Sequence, residues 1–258
     1  FKTPGIRPDV PEISAAVQGG AELTSEMEAF FKVCPCTIIG VTGSDGKTTT
    51  TTLISELLKA TGRPVYTGGN IGTPLLCRAE EMGLFDIAVL ELSSFQLMTM
   101  DRSPHISVVT NLSPNHLDVH RDYEEYIDAK KNILSHQDTG DIAVLNLDCD
   151  DTKMLFTATA ARDIRYFSMK RRVYTGVYCK DGEIFAVRRG AEEKVLDTAD
   201  IKLPGRHNIE NYMAAYCAVM DVVPPETLQK VAREFGGVAH RIELVREIKG
   251  VRYYNDSI

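Results

Sequence analysis

The chain has 258 residues, 43% of them hydrophobic and 25% charged, a mixture that excludes a low-complexity or disordered polymer and can bury a sizeable core. Its formal net charge of −7 argues against a general nucleic-acid binder, which would show a basic face. No apolar run approaches the ~18 residues of a membrane span and no leader pattern opens the chain, so no membrane insertion and a cytoplasmic location are expected.

The opening stretch, "FKTPGIRPDVPEI", begins on turn residues with no element before it, and the chain stops at "GVRYYNDSI" just after a strand-like run. Both ends read as cuts in a longer protein. Six cysteines follow no C-x-x-C spacing and read as free thiols in a reducing compartment. Cys34 and Cys36, with Pro35 between them, can be taken for a metal pair or for a linker with two small residues, and the linker is the simpler reading.

From residue 36 strands and helices alternate. "CTIIGVTG" is a buried strand entering a turn. "KTTTTTLISELLKATG" is a helix with a stop at Gly62, although five threonines are poor helix formers, so packing or function must override propensity. "PVYTGGNIG" is a short strand and a Gly-rich loop. "FDIAVLELSSFQL", "HISVVTNLSPNHL" and "GDIAVLNLD" are apolar runs of strand length with polar tails, and "DYEEYIDAKKNILSHQ" is an amphipathic helix between the last two. Strands that are apolar throughout belong to a parallel sheet covered on both faces. Over residues 165–203 the pattern changes: "RYFSM", "VYTGVYCKDGEIFAVRR" and "KVLDTADIKL" alternate around a turn at Asp181 and Gly182 and read as antiparallel hairpins. Two helices, "HNIENYMAAYCAVMDV" and "PETLQKVAREFGG", follow. The fold expected is α/β: a mostly parallel sheet of P-loop type with flanking helices, plus a small antiparallel hairpin sheet.

The chemistry gathers where strands end. In "IIGVTGSDGKTTTTT", residues 38–52, Gly43 and Gly46 free the backbone to aim N–H groups at a phosphate, and the following helix adds its N-terminal dipole. Lys47 brings a positive charge to the β- and γ-phosphates and Thr48 a hydroxyl for Mg²⁺. Gly43, Ser44, Asp45, Gly46, Lys47, Thr48 and Thr49 are the nucleotide-binding candidates. The strict pattern G-x-x-x-x-G-K-S/T fails at Val41, where its first Gly should stand. A nucleotide–Mg²⁺ site needs a carboxylate on a neighbouring strand end, and Glu91 in "VLELSSFQ" is placed for it. His116 in "TNLSPNHLD" is a third candidate, though imidazole is an unusual partner for a hard cation.

These residues resemble the ATP-dependent Mur ligases of peptidoglycan synthesis. The loop "GVTGSDGKTTT" is similar to the family's variant P-loop, which lacks the same Gly. "GGNIG" (68–72), "LELSSFQL" (90–97), "NLSPNHLD" (111–118), "YIDAKKNI" (126–133), "LPGRHNIENYMAA" (203–215), "AHRIE" (239–243) and "YYNDS" (253–257) match in order. Within the family, "GGNIG" with "ELSSFQL" is most similar to the branch that adds D-glutamate to UDP-N-acetylmuramoyl-L-alanine, giving those two molecules as substrates and placing the protein in cell-wall biogenesis, cell shape and cell division. The resemblance implies amide formation: ATP phosphorylates a carboxylate, an amine attacks the acyl phosphate, and ADP and phosphate leave. It implies Lys47 on the phosphates, Thr48 and Glu91 on one Mg²⁺, and His116 on a second, with Lys130 as a carbamylated lysine ligand. Lys47, Lys130 and His116 are thus the catalytic candidates. Asn70, Ser94 and His116 are assigned to the nucleotide-sugar substrate, Asn208 and Asn211 to the adenine, Arg241 to an ATP phosphate and Asp256 to the ribose. Family members commonly carry Lys after "NDS", where this chain has Ile258. The division expected is 1–25 for the tail of a UDP-binding domain, 26–237 for the central ATP-binding domain and 238–258 for the start of a third. A monomer is expected, inactive as this piece alone. Another Mur-type or folylpolyglutamate-type ligase, or a nucleotide-binding module without catalysis, remains the alternative.

Overall fold

The computed structural model describes residues 1–116, 118–238 and 243–255. Helices α1 (Pro11–Gln18) and α2 (Glu26–Val33) precede β1 (Thr37–Thr42), from which a short loop enters α3 (Lys47–Ala60). Then come β2 (Val65–Gly69), β3 (Ile87–Glu91), the one-turn α4 (Ser94–Leu97), β4 (Ile106–Val109), α5 (Tyr123–Ser135), β5 (Ile142–Asn146) and α6 (Asp150–Met154). β6 (Asp163–Ser168), β7 (Gly176–Lys180), β8 (Glu183–Arg188) and β9 (Ala191–Asp197) lead to α7 (Arg206–Val219), α8 (Pro225–Glu234) and a hairpin of β10 (Glu243–Ile248) and β11 (Val251–Asn255).

Nine strands make one sheet in the order β2-β3-β1-β4-β5-β6-β7-β8-β9. Pairing is parallel from β2 to β7 and antiparallel from β7 to β9. The hairpins expected around Asp181 and Gly182 are present, and they continue the main sheet instead of forming another. "RYFSM" is a correction. It forms most of β6, parallel to β5 through Leu145↔Tyr166 and to β7 through Phe167↔Val177. Its alternation of half-buried and buried residues imitates a solvated antiparallel strand because Phe167 packs into the core of α3 and α7, whereas Ile164 and Tyr166 on the other face are only partly covered. α1 and α2 were not foreseen; α2 carries its own sequence signal in Ser25, whose side chain accepts from Glu28 N at the first turn.

The strands read as continuously apolar because each face of the sheet has its own core. Ile39, Val41, Val89, Val108 and Val144 point to the layer of α3, α7 and α8, where Leu53, Ile54, Leu57 and Met213 are buried. Ile38, Ala88, Leu90, Val109 and Leu145 point to the layer of α2 and α5, against Phe30, Tyr126 and Ile133. At ~1.5–3 kcal/mol per fully buried large aliphatic or aromatic side chain, this packing outweighs the weak helix propensity of the threonine run. Two hydroxyls of the helix bond back to its own backbone: Thr52 Oγ1 donates to Thr48 O at 2.8 Å and Ser55 Oγ to Thr51 O at 2.9 Å. α3 ends at Thr61, with Gly62 at φ +82°, so the glycine stop stands where the sequence puts it.

The chain leaves β1 toward β2 and β3 on one side, then crosses to β4 on the other. β1 is therefore the point where strand order reverses, and a crevice opens beyond its carboxyl end. Residues 43–46 lie there.

Candidate active site at the carboxyl edge

The loop after β1 is held by side chains from β4 and α5. Thr110 Oγ1 donates to Asp45 O at 2.6 Å, Asp45 N donates to Asn111 Oδ1 at 2.9 Å, and Ser44 N donates to Asn111 O at 2.9 Å. Ser44 Oγ lies 2.9 Å from the Tyr126 hydroxyl and accepts from Ser113 N at 2.9 Å. Two glycines make the path possible. Gly43 has φ +148°, and a Cβ there would sit 1.9 Å from Thr110 Oγ1; Gly46 has φ +78°, with a Cβ 2.3 Å from Asn211 Oδ1. Gly46 is the residue from which α3 starts, with no side chain capping the helix, so the first-turn N–H groups face the crevice side of the loop.

Lys47 Nζ donates to Ser44 O at 2.8 Å, which curls the side chain over the loop. Thr48 Oγ1 donates to Glu91 Oε2 at 2.6 Å, and Asn70 Nδ2 donates to Glu91 Oε1 at 2.8 Å. Glu91 is 1% exposed. Three residues called separately from sequence are thus one hydrogen-bonded group, drawn from α3, the loop after β2 and the end of β3. Pairing of Gly69 with Glu91, continued by Asn70 N donating to Glu91 O at 2.8 Å, fixes the register.

Lys130, on α5, is 2% exposed. Its Nζ donates to Gly43 O at 2.8 Å and Thr42 Oγ1 at 3.3 Å, and lies 4.7 Å from the centre of the Tyr126 ring. Burial, then the nearby charge of Lys47, bring its pKa down to about 7, against the opposing pull of Glu91 and Asp45. The neighbouring Lys131 pairs with Asp128 at 3.9 Å on the solvent side. Sequence could not separate the two; the rotation of α5 on the sheet does.

Asn208 and Asn211 are both buried. Asn211 Nδ2 donates to Asn208 Oδ1 at 3.2 Å, and Thr50 Oγ1 donates to Asn211 Oδ1 at 3.3 Å. Asn208 Nδ2 donates to Pro204 O at 2.6 Å. Asn208 lies inside the first turn of α7, whose cap is Gly205. A cavity of about 350 Å³ opens between the loop and α7, lined by Asp45, Gly46, Asn111, His207, Glu210 and Asn211 among others. Burial, with Asp148 nearby, raises the Glu210 carboxyl. A second cavity, of about 270 Å³, opens at the opposite, amino edge of the sheet, lined by Ile39, Leu58, Ile87 and Phe85 with Arg63, Asp86 and Asp221 among others.

His116 stands apart from this assembly. It is exposed, at φ +53°, with its ring 5.4 Å from Phe95 in an edge arrangement. Ser94 faces inward, 2% exposed, with its hydroxyl 2.9 Å from His120 Nε2, a position for ordering the site. Thr49 is half-buried. Arg241 and Asp256 lie outside the described residues. Sequence reasoning missed Thr110, Asn111, Tyr126 and His120. Thr110 and Asn111 had a signal, since they end an apolar strand as Glu91 does. His120 had none: burial lowers its pKa, and it stacks on Phe95 at 5.3 Å, contacts that only the fold creates.

A hydroxyl, a carboxylate and an amide on one side of a loop of backbone donors, with two lysines beneath and beside it, can hold a phosphate chain and a hard cation together. The matches to known proteins agree. Residues 41–219 match the model of the Mur ligase middle domain. Over its whole length the chain is 52% identical to the UDP-N-acetylmuramoylalanine–D-glutamate ligase of Ruminiclostridium cellulolyticum and 54% identical to that of Acetivibrio thermocellus, covering 55% of each. The chain therefore spans about half the length of the curated relatives it matches. Among solved structures, a MurF of Acinetobacter baumannii superposes with a TM-score of 0.68 at 19% identity, over 89% of this chain and 53% of that one. The MurF ligase of Thermotoga maritima in complex with ADP gives 0.64 at 23%, over 90% and 55%. Those two share the fold. With the family model matching most of the chain on top of the loop and its partners, the chain belongs to the Mur ligase family.

Proposed function

We propose that the chain is the ATP-handling part of a ligase that joins D-glutamate to UDP-N-acetylmuramoyl-L-alanine, with ADP and phosphate as products. The observation that carries this reading is identity of 52–54% across all of the chain to relatives bearing that ligase's name. The hydrogen-bonded set of Thr48, Glu91 and Asn70 beside the loop supports the ATP step.

The acceptor's carboxylate oxygen attacks the γ-phosphorus and ADP leaves; the amine of D-glutamate attacks the acyl carbon, loses a proton, and phosphate leaves. Two anions must meet in the first step. The first-turn backbone N–H groups of α3 and the Lys47 ammonium offset that repulsion, a role that strengthens as charge moves onto the bridging oxygens. Asn70, exposed and anchored to Glu91, is placed to orient the substrate. Asn208, Asn211 and the cavity beside them serve the adenine, and the same reading assigns Arg241 to an ATP phosphate and Asp256 to the ribose. On this reading His116, exposed on its loop, serves the substrate and a second ion, and Ser94, buried against His120, orders the neighbouring wall.

Thr48 and Glu91 fit a hard divalent cation: both are oxygen donors, the carboxylate is buried, and among the described residues no cluster of three or more His, Cys, Asp or Glu competes for the ion. Mg²⁺ takes one or two protein oxygens plus phosphates and water. When bound, it supplies positive charge to the phosphates. His116 and a carbamylated Lys130 would hold a second ion; burial of Lys130 among neutral acceptors favours the uncharged amine that adds CO₂. The same reading makes residues 1–25 the tail of a UDP-binding domain, 26–237 the ATP-binding domain and 238–258 the start of a third, in a monomeric cytoplasmic enzyme.

The test is phosphate release by the full-length ligase carrying this chain, with Mg-ATP and UDP-N-acetylmuramoyl-L-alanine. D-Glutamate, L-glutamate, L-lysine or meso-diaminopimelate is added separately. Release that depends on D-glutamate alone supports the proposal. Release with another amino acid moves the protein to a sister step, and no release with any of them favours nucleotide binding without catalysis.

A further inference from the structure

Cys34 and Cys36 stand at the junction of α2 and β1. The Cys34 backbone turns extended, at φ −64° and ψ 120°, as α2 ends. Pro35 stiffens the step between the two residues. The sulfurs lie 3.4 Å apart, and among the described residues no other pair of thiols approaches within hydrogen-bond range. The pair is asymmetric. Cys34 is half-buried and open to solvent on one side; Cys36 is 3% exposed and packed with Met27, Phe30 and Ile38. One accessible sulfur in front of one enclosed sulfur is the arrangement of an attacking and a resolving thiol. From 3.4 Å, closure to the ~2.05 Å of a disulfide is a short motion for side chains two residues apart in non-helical backbone.

We propose that Cys34 and Cys36 form a vicinal dithiol that exchanges with low-molecular-weight disulfides and closes into an intrachain disulfide. The Cys34 thiolate attacks one sulfur of R–S–S–R, forming a mixed disulfide and expelling one thiolate. Cys36 gives up its proton and attacks the Cys34 sulfur, expelling the second. Both departing thiolates take up the protons the protein has lost. The two protein thiols are oxidised by two electrons, and one R–S–S–R becomes two R–SH. Exposure favours this direction of attack: either sulfur can donate across the 3.4 Å contact, and when Cys36 donates, that contact holds the more open Cys34 below its ordinary range while burial pushes Cys36 up.

The experiment exposes the 258-residue chain to stepped ratios of oxidised to reduced glutathione, quenches in acid, labels free thiols with a maleimide in denaturant, and maps the peptides by mass. The expected result is a peptide spanning residues 34–36 that loses both labels and two hydrogens, at ratios where Cys77, Cys149, Cys179 and Cys217 still take label. Cys34→Ser should slow loss of the Cys36 label by at least about tenfold, and Cys36→Ser should accumulate a glutathione adduct on Cys34. Three results overturn the proposal: both residues labelled at every ratio, a lasting Cys34 adduct in the unaltered chain, or Cys36 reacting equally fast in Cys34→Ser. If the buried Cys36→Ser variant does not fold, the unaltered chain and Cys34→Ser decide the matter between them.

Discussion

Glu91 ends one buried parallel strand at the carboxyl edge of the sheet and His116 lies in the loop after another, and they are built in opposite ways. The Glu91 carboxylate is enclosed, each oxygen accepting a hydrogen bond from a different element. The His116 ring is exposed on a left-handed residue and meets the edge of Phe95. One position is fixed by strand register and costs desolvation; the other is set by a loop and costs little. A buried carboxylate held by two neutral donors is a poor way to stabilise a fold, which is consistent with the cation role proposed for it. The comparison teaches that the first half of the candidate centre is assembled by the fold itself, whereas the second half depends on how the β4–α5 loop settles.

The largest test lies on the assembled side. Lys47→Ala in the full-length ligase should lower kcat/KM by at least about two orders of magnitude with little change in Tm, measured by phosphate release; turnover near the parent's would remove Lys47 from transfer. Lys130 gives the next effect. Its folded-state pKa of about 7 lies below the ordinary 10.5, so between those values the unfolded chain binds more protons and stability rises with pH. The sign is therefore a penalty fully present below pH 7 and relieved toward 10.5. Relative to Lys130→Met, the parent chain should gain about 2–3 kcal/mol from pH 7 to pH 9 in urea unfolding; parallel curves would place the ammonium in water. Gly46→Ala forces a Cβ toward Asn211 at φ +78° and should cost about 1–3 kcal/mol, read in the same urea titration.

Smaller effects sharpen the contrast. Glu91→Gln removes a buried charge and keeps the shape, so Tm should hold or rise within about 1 kcal/mol of stability while Mg²⁺-dependent ATP binding, followed by calorimetry, weakens at least about tenfold. A large loss of Tm would make Glu91 structural. His116→Ala should change stability by less than about 0.5 kcal/mol, because the ring is exposed and touches only the edge of Phe95 among the described ring contacts. If it unfolds the protein as readily as a core change, the two positions are alike after all.

By itself the sequence determined the phosphate loop, the strand–loop–helix order around it, the parallel character of the sheet and the hairpins around Asp181 and Gly182. Those follow from local rules: glycine where φ must be positive, apolar runs where both faces are covered, polar residues where buried strands stop. Tertiary structure decided the rest. "RYFSM" joined the parallel side because a strand's partners are chosen by its neighbours in space, and its own alternation does not name them. Lys130 and Lys131 are the same residue type one position apart, and only the docking of α5 buries the first. Thr48, Glu91 and Asn70 meet because three adjacent strands, β1, β3 and β2, end there side by side, and Cys34 reaches Cys36 because α2 unwinds into β1 across a proline. Such contacts depend on distances through space, which residue spacing along a chain does not encode.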